Sequence, residues 1–238
     1  MLSNAKRIYG NRIGATDGEI GHIRDFYFND EDWMIRYLVV DTGDWLPGRQ
    51  VLIPPHLVTS IGGGEKIVQV KLSRARIENS PAIATHKPVS RQYEEEYYRY
   101  FGWPSYWLGE SLPAMPAIPI PGNPSDTVAA VEASRPIGDA HLRSTRSVEG
   151  YHVQGTDRLA GHVSDFRINP ETWRICKLRV RVGNRLSGTE VDVTTSNVLR
   201  ISYMDSTVFV DRSAEEVESE ISRKSAVAEA PTPILSSR

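Results

Sequence analysis

The chain has 238 residues and a net charge of −2, and 39% of its residues are hydrophobic. The single cysteine, Cys176, excludes a disulfide scaffold and a multi-cysteine metal site. The first residues carry no apolar signal region, and no apolar run approaches the roughly 20 residues that span a bilayer. We therefore expect a soluble, intracellular protein of bacterial type, located in the cytoplasm.

The first predicted elements belong to a segment that occurs twice. Residues from Thr16 to Gly43 recur without a gap from Thr156 to Gly183, at an offset of 140. The offset persists to the end of each copy, and about a third of positions 14–73 are identical in the second copy. Chance does not produce such a match, so the sequence predicts a duplicated module.

Each copy has the pattern of short β-strands. Ile23, Phe26 and Phe28 are spaced by three and then two, which predicts a β-bulge near Asp25 and, in the second copy, near Asp165. In the second copy three apolar residues alternate with three basic ones, Lys177, Arg179 and Arg181, which predicts a strand with one buried face. Further strands are predicted over Gln50–Ile53, Lys66–Leu72, Glu190–Val193 and Thr207–Asp211. Five or six short strands in about 65 residues predict a small barrel for each copy.

This pattern resembles the PRC-barrel domain family, named after the photosynthetic reaction centre. The resemblance rests on Gly21-His22-Ile23, on Trp33 followed by an apolar strand, and on Val51-Leu52-Ile53-Pro54, and it extends over both copies. The second copy departs from it, with Val193-Thr194 in place of Ile53-Pro54. The resemblance implies a barrel used for docking to proteins. It also suggests two specific roles, one like that of the reaction-centre H subunit and one like that of a ribosome-maturation factor.

Between the copies the sequence changes character. Val89, Tyr93, Tyr97 and Phe101 fall at helical spacing, which predicts a short helix over residues 90–100. A cluster of prolines between residues 113 and 124 then predicts an extended linker. The aromatic side chains around this helix either pack on a barrel or form an exposed docking surface. The candidate docking residues are Tyr97, Phe101, Trp103, Tyr106, Trp107, Lys177, Arg179 and Arg181.

After the second copy, Ser213 and Glu216 have the spacing of a capping box. A helix is therefore predicted to begin there and to run to about Lys224, followed by a loose tail. The expected fold is all-β, with two small PRC-type barrels joined by a Pro- and aromatic-rich linker and short helices in the linker and near the C-terminus. The expected divisions are residues 1–75, 76–146, 147–213 and 214–238.

One cluster could hold a metal. His22 with Asp17 and Asp25 recurs in the second copy, and a histidine with two carboxylates can bind a divalent ion. The favoured interpretation is structural, because an aspartate beside a glycine turn or bulge usually accepts hydrogen bonds from backbone amides. The run Gly62–Gly64 is interpreted as a hairpin turn, and Trp33 and Trp173 are expected to pack.

Charge differs between the copies. Residues 14–73 carry nine acidic and five basic side chains, a net charge of −4. Residues 154–213 carry seven acidic and nine basic side chains, a net charge of +2. Two hypotheses follow: the barrels pair within the chain, steered by charge, or the basic residues bind an anion or RNA. The acidic pI of about 6.3 disfavours nucleic acid.

No nucleophile or cofactor motif is visible, so we expect a non-enzymatic docking or assembly module without a cofactor. Its protein partners are unknown. We expect the barrels to pair within the chain or the chain to form a homodimer. We expect no nucleic-acid partner and no membrane span, and a peripheral contact with a membrane complex is compatible with this expectation. The alternative is a module that binds a small ligand or metal.

Overall fold

The computed structural model describes residues 2–61, 66–80, 98–103, 141–183 and 188–220. Within these ranges the chain is mostly β, with a few short helices, and its strands form two sheets of seven strands each. The all-β expectation is confirmed at this level.

The first sheet is built mainly from the first half of the chain. Its strands pair in the order β5-β4-β3-β2-β7-β6, and all pairs are antiparallel except the parallel pair of β2 with β7. Their bounds are Arg12–Ala15 (β2), Gly18–Asn29 (β3), Ile35–Asp41 (β4), Gln50–Ile53 (β5), Val58–Ile61 (β6) and Ile67–Val70 (β7). The strand predicted at Gln50–Ile53 has the predicted bounds.

The second sheet has the corresponding order, β12-β11-β10-β9-β14-β13, with β9 and β14 as its parallel pair. Its strands are His152–Gln154 (β9), Leu159–Asn169 (β10), Arg174–Val182 (β11), Thr189–Thr194 (β12), Val198–Ser202 (β13) and Thr207–Val210 (β14). Each strand lies 140 residues, to within a few positions, after its counterpart in the first sheet. The two halves therefore share one strand topology.

The expected barrels are not closed by the hydrogen bonds seen in the described residues. Each sheet is an open path whose end strands, β5 and β6 or β12 and β13, do not pair with one another. These end strands are nevertheless consecutive in the chain, joined only through the 3₁₀ turns Pro55–Leu57 and Thr195–Asn197. Each sheet must therefore curl until its two edges meet at a corner.

The repeated bulge and the repeated glycine both have a structural reason. Pairing shifts register between Ile23 and Asp25, and again between Val163 and Asp165, which confirms the predicted bulges. Gly21 and Gly161 have φ of 153° and 156°. A Cβ at either position would collide with a carbonyl oxygen of the neighbouring strand, that of Asp41 or Arg181, so only glycine fits.

The two halves exchange short strands. Strand β1 (Ser3–Asn4) precedes the first sheet but pairs with β10 of the second, and β8 (Leu142–Ser144) precedes the second sheet but pairs with β3 of the first. Helix α1 (Ala5–Ile8) follows β1 and contacts β10 of the second sheet. Helix α3 (Thr145–Val148) follows β8 and contacts β3 of the first sheet. Strand β8 lies in the segment predicted as linker, because a three-residue strand has no periodicity to reveal it.

The core is continuous across the seam between the halves. Phe26 contacts Trp173 with ring centroids 6.3 Å apart, and Phe28 contacts Phe166 at 5.9 Å. The backbone is joined as well, since the Ile35 amide donates to the Trp173 carbonyl and the Ile175 amide donates to the Trp33 carbonyl, both at 2.9 Å. Both tryptophans are at most 7% exposed, so the expectation that they pack is confirmed.

Two short helical segments follow the sheets. Helix α2 (Arg74–Glu78) begins after Ser73, whose side chain accepts a hydrogen bond from the Arg76 amide. Residues 214–220 are helical. The Ser213 hydroxyl accepts from the Glu216 amide at 3.1 Å, and the Glu216 carboxylate accepts from the Ser213 amide at 2.8 Å. The predicted capping box is confirmed, and the predicted end of this helix lies outside the described residues.

Candidate functional site

The described part of the aromatic segment packs on the first sheet. Phe101 is 5% exposed and stacks on Trp103, with ring centroids 4.3 Å apart and planes 9° from parallel. Tyr98 bridges the edges of Trp103 and the β4 residue Tyr37. The Arg76 guanidinium donates to the Phe101 carbonyl at 3.1 Å. Phe101 therefore offers little surface to a partner, and of the two interpretations the packed one describes it.

Other predicted positions cannot be placed. Tyr97, Tyr106 and Trp107, most of the predicted helix, the proline cluster and the Gly62–Gly64 turn lie outside the described residues. A docking role for the three aromatic residues stays a prediction.

The basic stripe of β11 is matched by acids on β12. Arg179 lies opposite Asp192 and Arg181 lies opposite Glu190 in the antiparallel register. The Arg179 Nε lies 3.0 Å from Asp192 and the Arg181 Nη2 lies 2.7 Å from Glu190. Lys177, Arg179 and Arg181 are all half-buried. Because two of the three cations are paired within the sheet, the stripe has little net charge to attract an anion or RNA.

The aspartates of the His-Asp cluster accept hydrogen bonds from the backbone, as the structural interpretation predicted. Asp17 accepts from the Arg74 amide at 2.7 Å, and its counterpart Asp157 accepts from the Ala214 amide at 2.7 Å. Asp25 and Asp165 each accept from the amide of the following phenylalanine at 2.8 Å. These carboxylates hold turns and bulges, and across the described residues no group of three potential ligands is placed to hold a metal ion.

Asp25 and Asp165 also connect the halves. Asp25 accepts from the Thr145 hydroxyl at 2.7 Å and from the Arg146 amide at 3.1 Å, whereas Asp165 accepts from the Lys6 amide at 3.2 Å. Burial raises the pKa of both carboxyls, and at Asp25 the hydrogen bonds from Ser144 and Thr145 oppose that effect. These perturbed groups lie in the seam, at the beginnings of α3 and α1.

Two clefts open along the seam and are related by the offset of 140. Each is formed by the β-hairpin turn of one sheet and the corner between the end strands of the other. The first, here called the arginine cleft, has a volume of about 530 Å³ and is lined by residues 30, 31, 33, 141, 143, 174, 195, 196 and 198–201. The second, the proline cleft, has a volume of about 740 Å³ and is lined by residues 34–36, 54–56, 58–61, 98 and 170–173.

The arginine cleft is charged. Its basic side chains are His141, Arg143, Arg174 and Arg200, and its acids are Asp30 and Glu31. Asp30 is already engaged, because the Arg143 Nε lies 2.6 Å and the His141 Nδ1 lies 2.9 Å from its two carboxylate oxygens.

The proline cleft is largely apolar. Pro54, Pro55, Tyr98, Pro170 and Trp173 contribute to its walls, together with aliphatic side chains of β4 and β6. Arg36 lies in it but is paired with Asp32 at 2.5 Å. Partial burial lowers the pKa of His56, which favours its neutral form. The cleft is therefore walled by prolines and largely buried aromatic rings, and its exposed charged group is the carboxylate of Glu171.

Sequence reasoning missed both clefts because they exist only where the halves meet. A residue-by-residue comparison of the two copies would have given a signal, because Arg174 and Arg200 in the second copy correspond to Met34 and Ser60 in the first. Summed charges of the two copies conceal this local difference.

Comparison with known proteins places part of the chain in a family. Residues 4–77 match the family model of the PRC-barrel domain. No curated protein matches the chain. Among the helices of the described residues, none is long and apolar enough to cross a membrane.

Proposed function

We propose that this chain is a non-enzymatic docking module, made of two PRC-type halves joined into one body, and that a partner protein binds in the proline cleft. The second half is proposed as a PRC-type module because its strand order and bulge repeat those of the first. The observation that carries the proposal is the lining of the proline cleft, where Pro55 and the exposed ring of His56 from the first half meet Pro170 of the second in one open groove.

Such a lining favours an extended, proline-containing segment. Aromatic and proline rings form flat apolar surfaces, and polyproline-II segments dock in aromatic grooves because their conformation is already ordered before binding. The exposed hydroxyl of Ser60 on β6 lies at the same cleft and can donate to a carbonyl of such a segment, whereas the neighbouring Thr59 hydroxyl donates to the Gln69 carbonyl at 3.2 Å. The proposed partner is therefore a protein with an exposed proline-containing strand.

A docking role is also consistent with the perturbed carboxyls. Asp25 and Asp165 accept hydrogen bonds from the other half, so their environment serves the assembly of the fold. Neither carboxyl lines one of the two clefts. A catalytic acid or base would be expected in a cleft within reach of a substrate.

Site-specific photo-crosslinking tests the proposal. A photoreactive residue is placed at exposed Ser60 or Thr172 in the full chain, expressed in its native cell, and the crosslinked peptide is sequenced. We expect both positions to capture the same partner through a proline-containing segment. The matched control is position 200, which is equivalent to position 60 in the arginine cleft and is not expected to capture that partner.

A second variant tests the chemistry of the cleft. Ser60→Arg introduces the residue that the other cleft carries at this offset, and the added charge should reduce crosslinking from position 172 about tenfold through the cost of desolvating it. No specific crosslink from either position contradicts the proposal. A crosslink only to residues 111–124 of the same chain also contradicts it, because the cleft would then be covered by the chain itself.

A further inference from the structure

The arginine cleft contains two cations that the fold does not neutralise. Arg174 and Arg200 are both exposed, and neither has an ion pair among the described residues. Arg143, by contrast, is engaged by Asp30. The guanidinium of Arg200 lies over the Phe209 ring, 3.8 Å from its centroid, so it is positioned by a cation–π contact that leaves its N–H groups able to donate.

The proline cleft serves as an internal reference for this charge. It is formed by the corresponding strands and turns, yet it carries Met34 where the arginine cleft has Arg174 and Ser60 where it has Arg200. Arg143 likewise corresponds to Ser3. The fold therefore forms this corner without arginine at these three positions, and packing alone does not account for the cations in one cleft.

We propose that the arginine cleft binds a phosphate group carried by a small molecule. Two guanidinium groups present N–H donors in the planar arrangement that suits phosphate oxygens, and the exposed hydroxyl of Ser196 adds a neutral donor. The buried side chains of Trp33 and Ile201 form part of the wall and reduce the local dielectric, which strengthens the attraction. Leu199, 67% exposed at the same cleft, offers an apolar contact to the rest of the ligand.

Calorimetric or NMR titration of the full chain with inorganic phosphate and with a nucleoside monophosphate tests the proposal. We expect saturable binding of the phosphate group by both probes, tighter for the monophosphate because its organic part contacts Leu199. Arg174→Met and Arg200→Ser, the residues of the other cleft, should each weaken binding roughly tenfold, since a charge-assisted hydrogen bond is lost. Arg7→Ser is the matched control, because it removes an exposed arginine that lies outside both clefts.

Three results overturn the proposal: no saturable binding of either probe at about 1 mM, equal binding by the two cleft variants and the parent chain, or equal weakening by Arg7→Ser. The last would show a general charge effect. The outcome is independent of the docking proposal, whose crosslinks arise from the proline cleft.

Discussion

The two seam tryptophans adopt a backbone conformation that their side chains disfavour. Trp33 and Trp173 have φ of 62° and 57°, in the left-handed region that costs a bulky residue about 1–2 kcal/mol. In this conformation the carbonyl of each accepts the hydrogen bond from the other half, while its ring is buried. Burial of a large ring offsets the strain, so the repeated tryptophan is explained by the seam.

Asp25 and Asp165 are equivalent in sequence but not in their contacts. Asp25 is approached by the hydroxyls of Ser144 and Thr145, at 2.5 and 2.7 Å, and Thr145 in turn accepts from the Tyr9 hydroxyl at 2.8 Å. The positions that correspond to Ser144 and Thr145 at the other end of the seam are Asn4 and Ala5. The Asp25 end of the seam is therefore the more polar.

Burial of Asp25 predicts a pH dependence of stability. Because burial raises the pKa of Asp25 above its unfolded value of about 3.9, the folded protein binds that proton more tightly. Its contribution to the free energy of unfolding is fully present below the unfolded pKa and is lost as the pH rises through the folded pKa. Asp25→Asn should thus make the slope of melting temperature against pH less negative above about pH 4.

Thermal melts across this range measure the effect. Asp205→Asn is the control, since Asp205 is exposed and lies in a turn of the second half. An unchanged slope in the Asp25 variant would contradict the assignment of Asp25 as a buried, raised carboxyl.

Among the elements, the exchanged strands decide how the halves are joined. Strand β1 adds two residues to the edge of β10, and the Asn4 side chain accepts from Arg167 at 2.6 Å. Deleting residues 1–4 removes these hydrogen bonds and exposes the edge, although α1 and its buried Ala5 and Ile8 are retained. Two or three net hydrogen bonds correspond to a loss of about 1–3 kcal/mol in the free energy of unfolding.

Denaturant unfolding and amide exchange measure this loss. Protection should fall at residues 167 and 168 of the second half, far from the deletion in sequence, and should stay unchanged in β5. A chain lacking only Met1 is the control. Reduced protection confined to the first sheet would show that β1 belongs there and that the exchange does not occur.

The elements also show how far the sequence could predict the fold. The bulges near Asp25 and Asp165 followed from broken alternation, and the Ser213 capping box followed from residue type and spacing, because both depend on local chemistry. Strands β1 and β8 did not, since two or three residues have no periodicity and their partners lie far along the chain. The clefts were missed for the same reason: Arg174 and Asp30 come together only after the exchange.

For the whole molecule, the exchange makes two similar halves into one body with two different clefts. Phe26, Phe28, Phe166 and Trp173 form a single core across the seam. Ion pairs join the halves at the margins of this core, where Lys6 pairs with Glu149 and Arg143 with Asp30. Apolar burial provides the main attraction between the halves. The two clefts that remain differ in charge, with Arg174 and Arg200 in one and Met34 and Ser60 at the equivalent positions of the other.

Differential scanning calorimetry of the full chain tests this joining most directly. If the halves share one core and exchange strands, they unfold together, in one transition whose van't Hoff and calorimetric enthalpies agree. Halves that unfold independently would give two transitions. Halves of equal stability that unfold independently would give a single transition with a van't Hoff enthalpy of about half the calorimetric value. The account predicts a ratio near one, and either of the other results would contradict it.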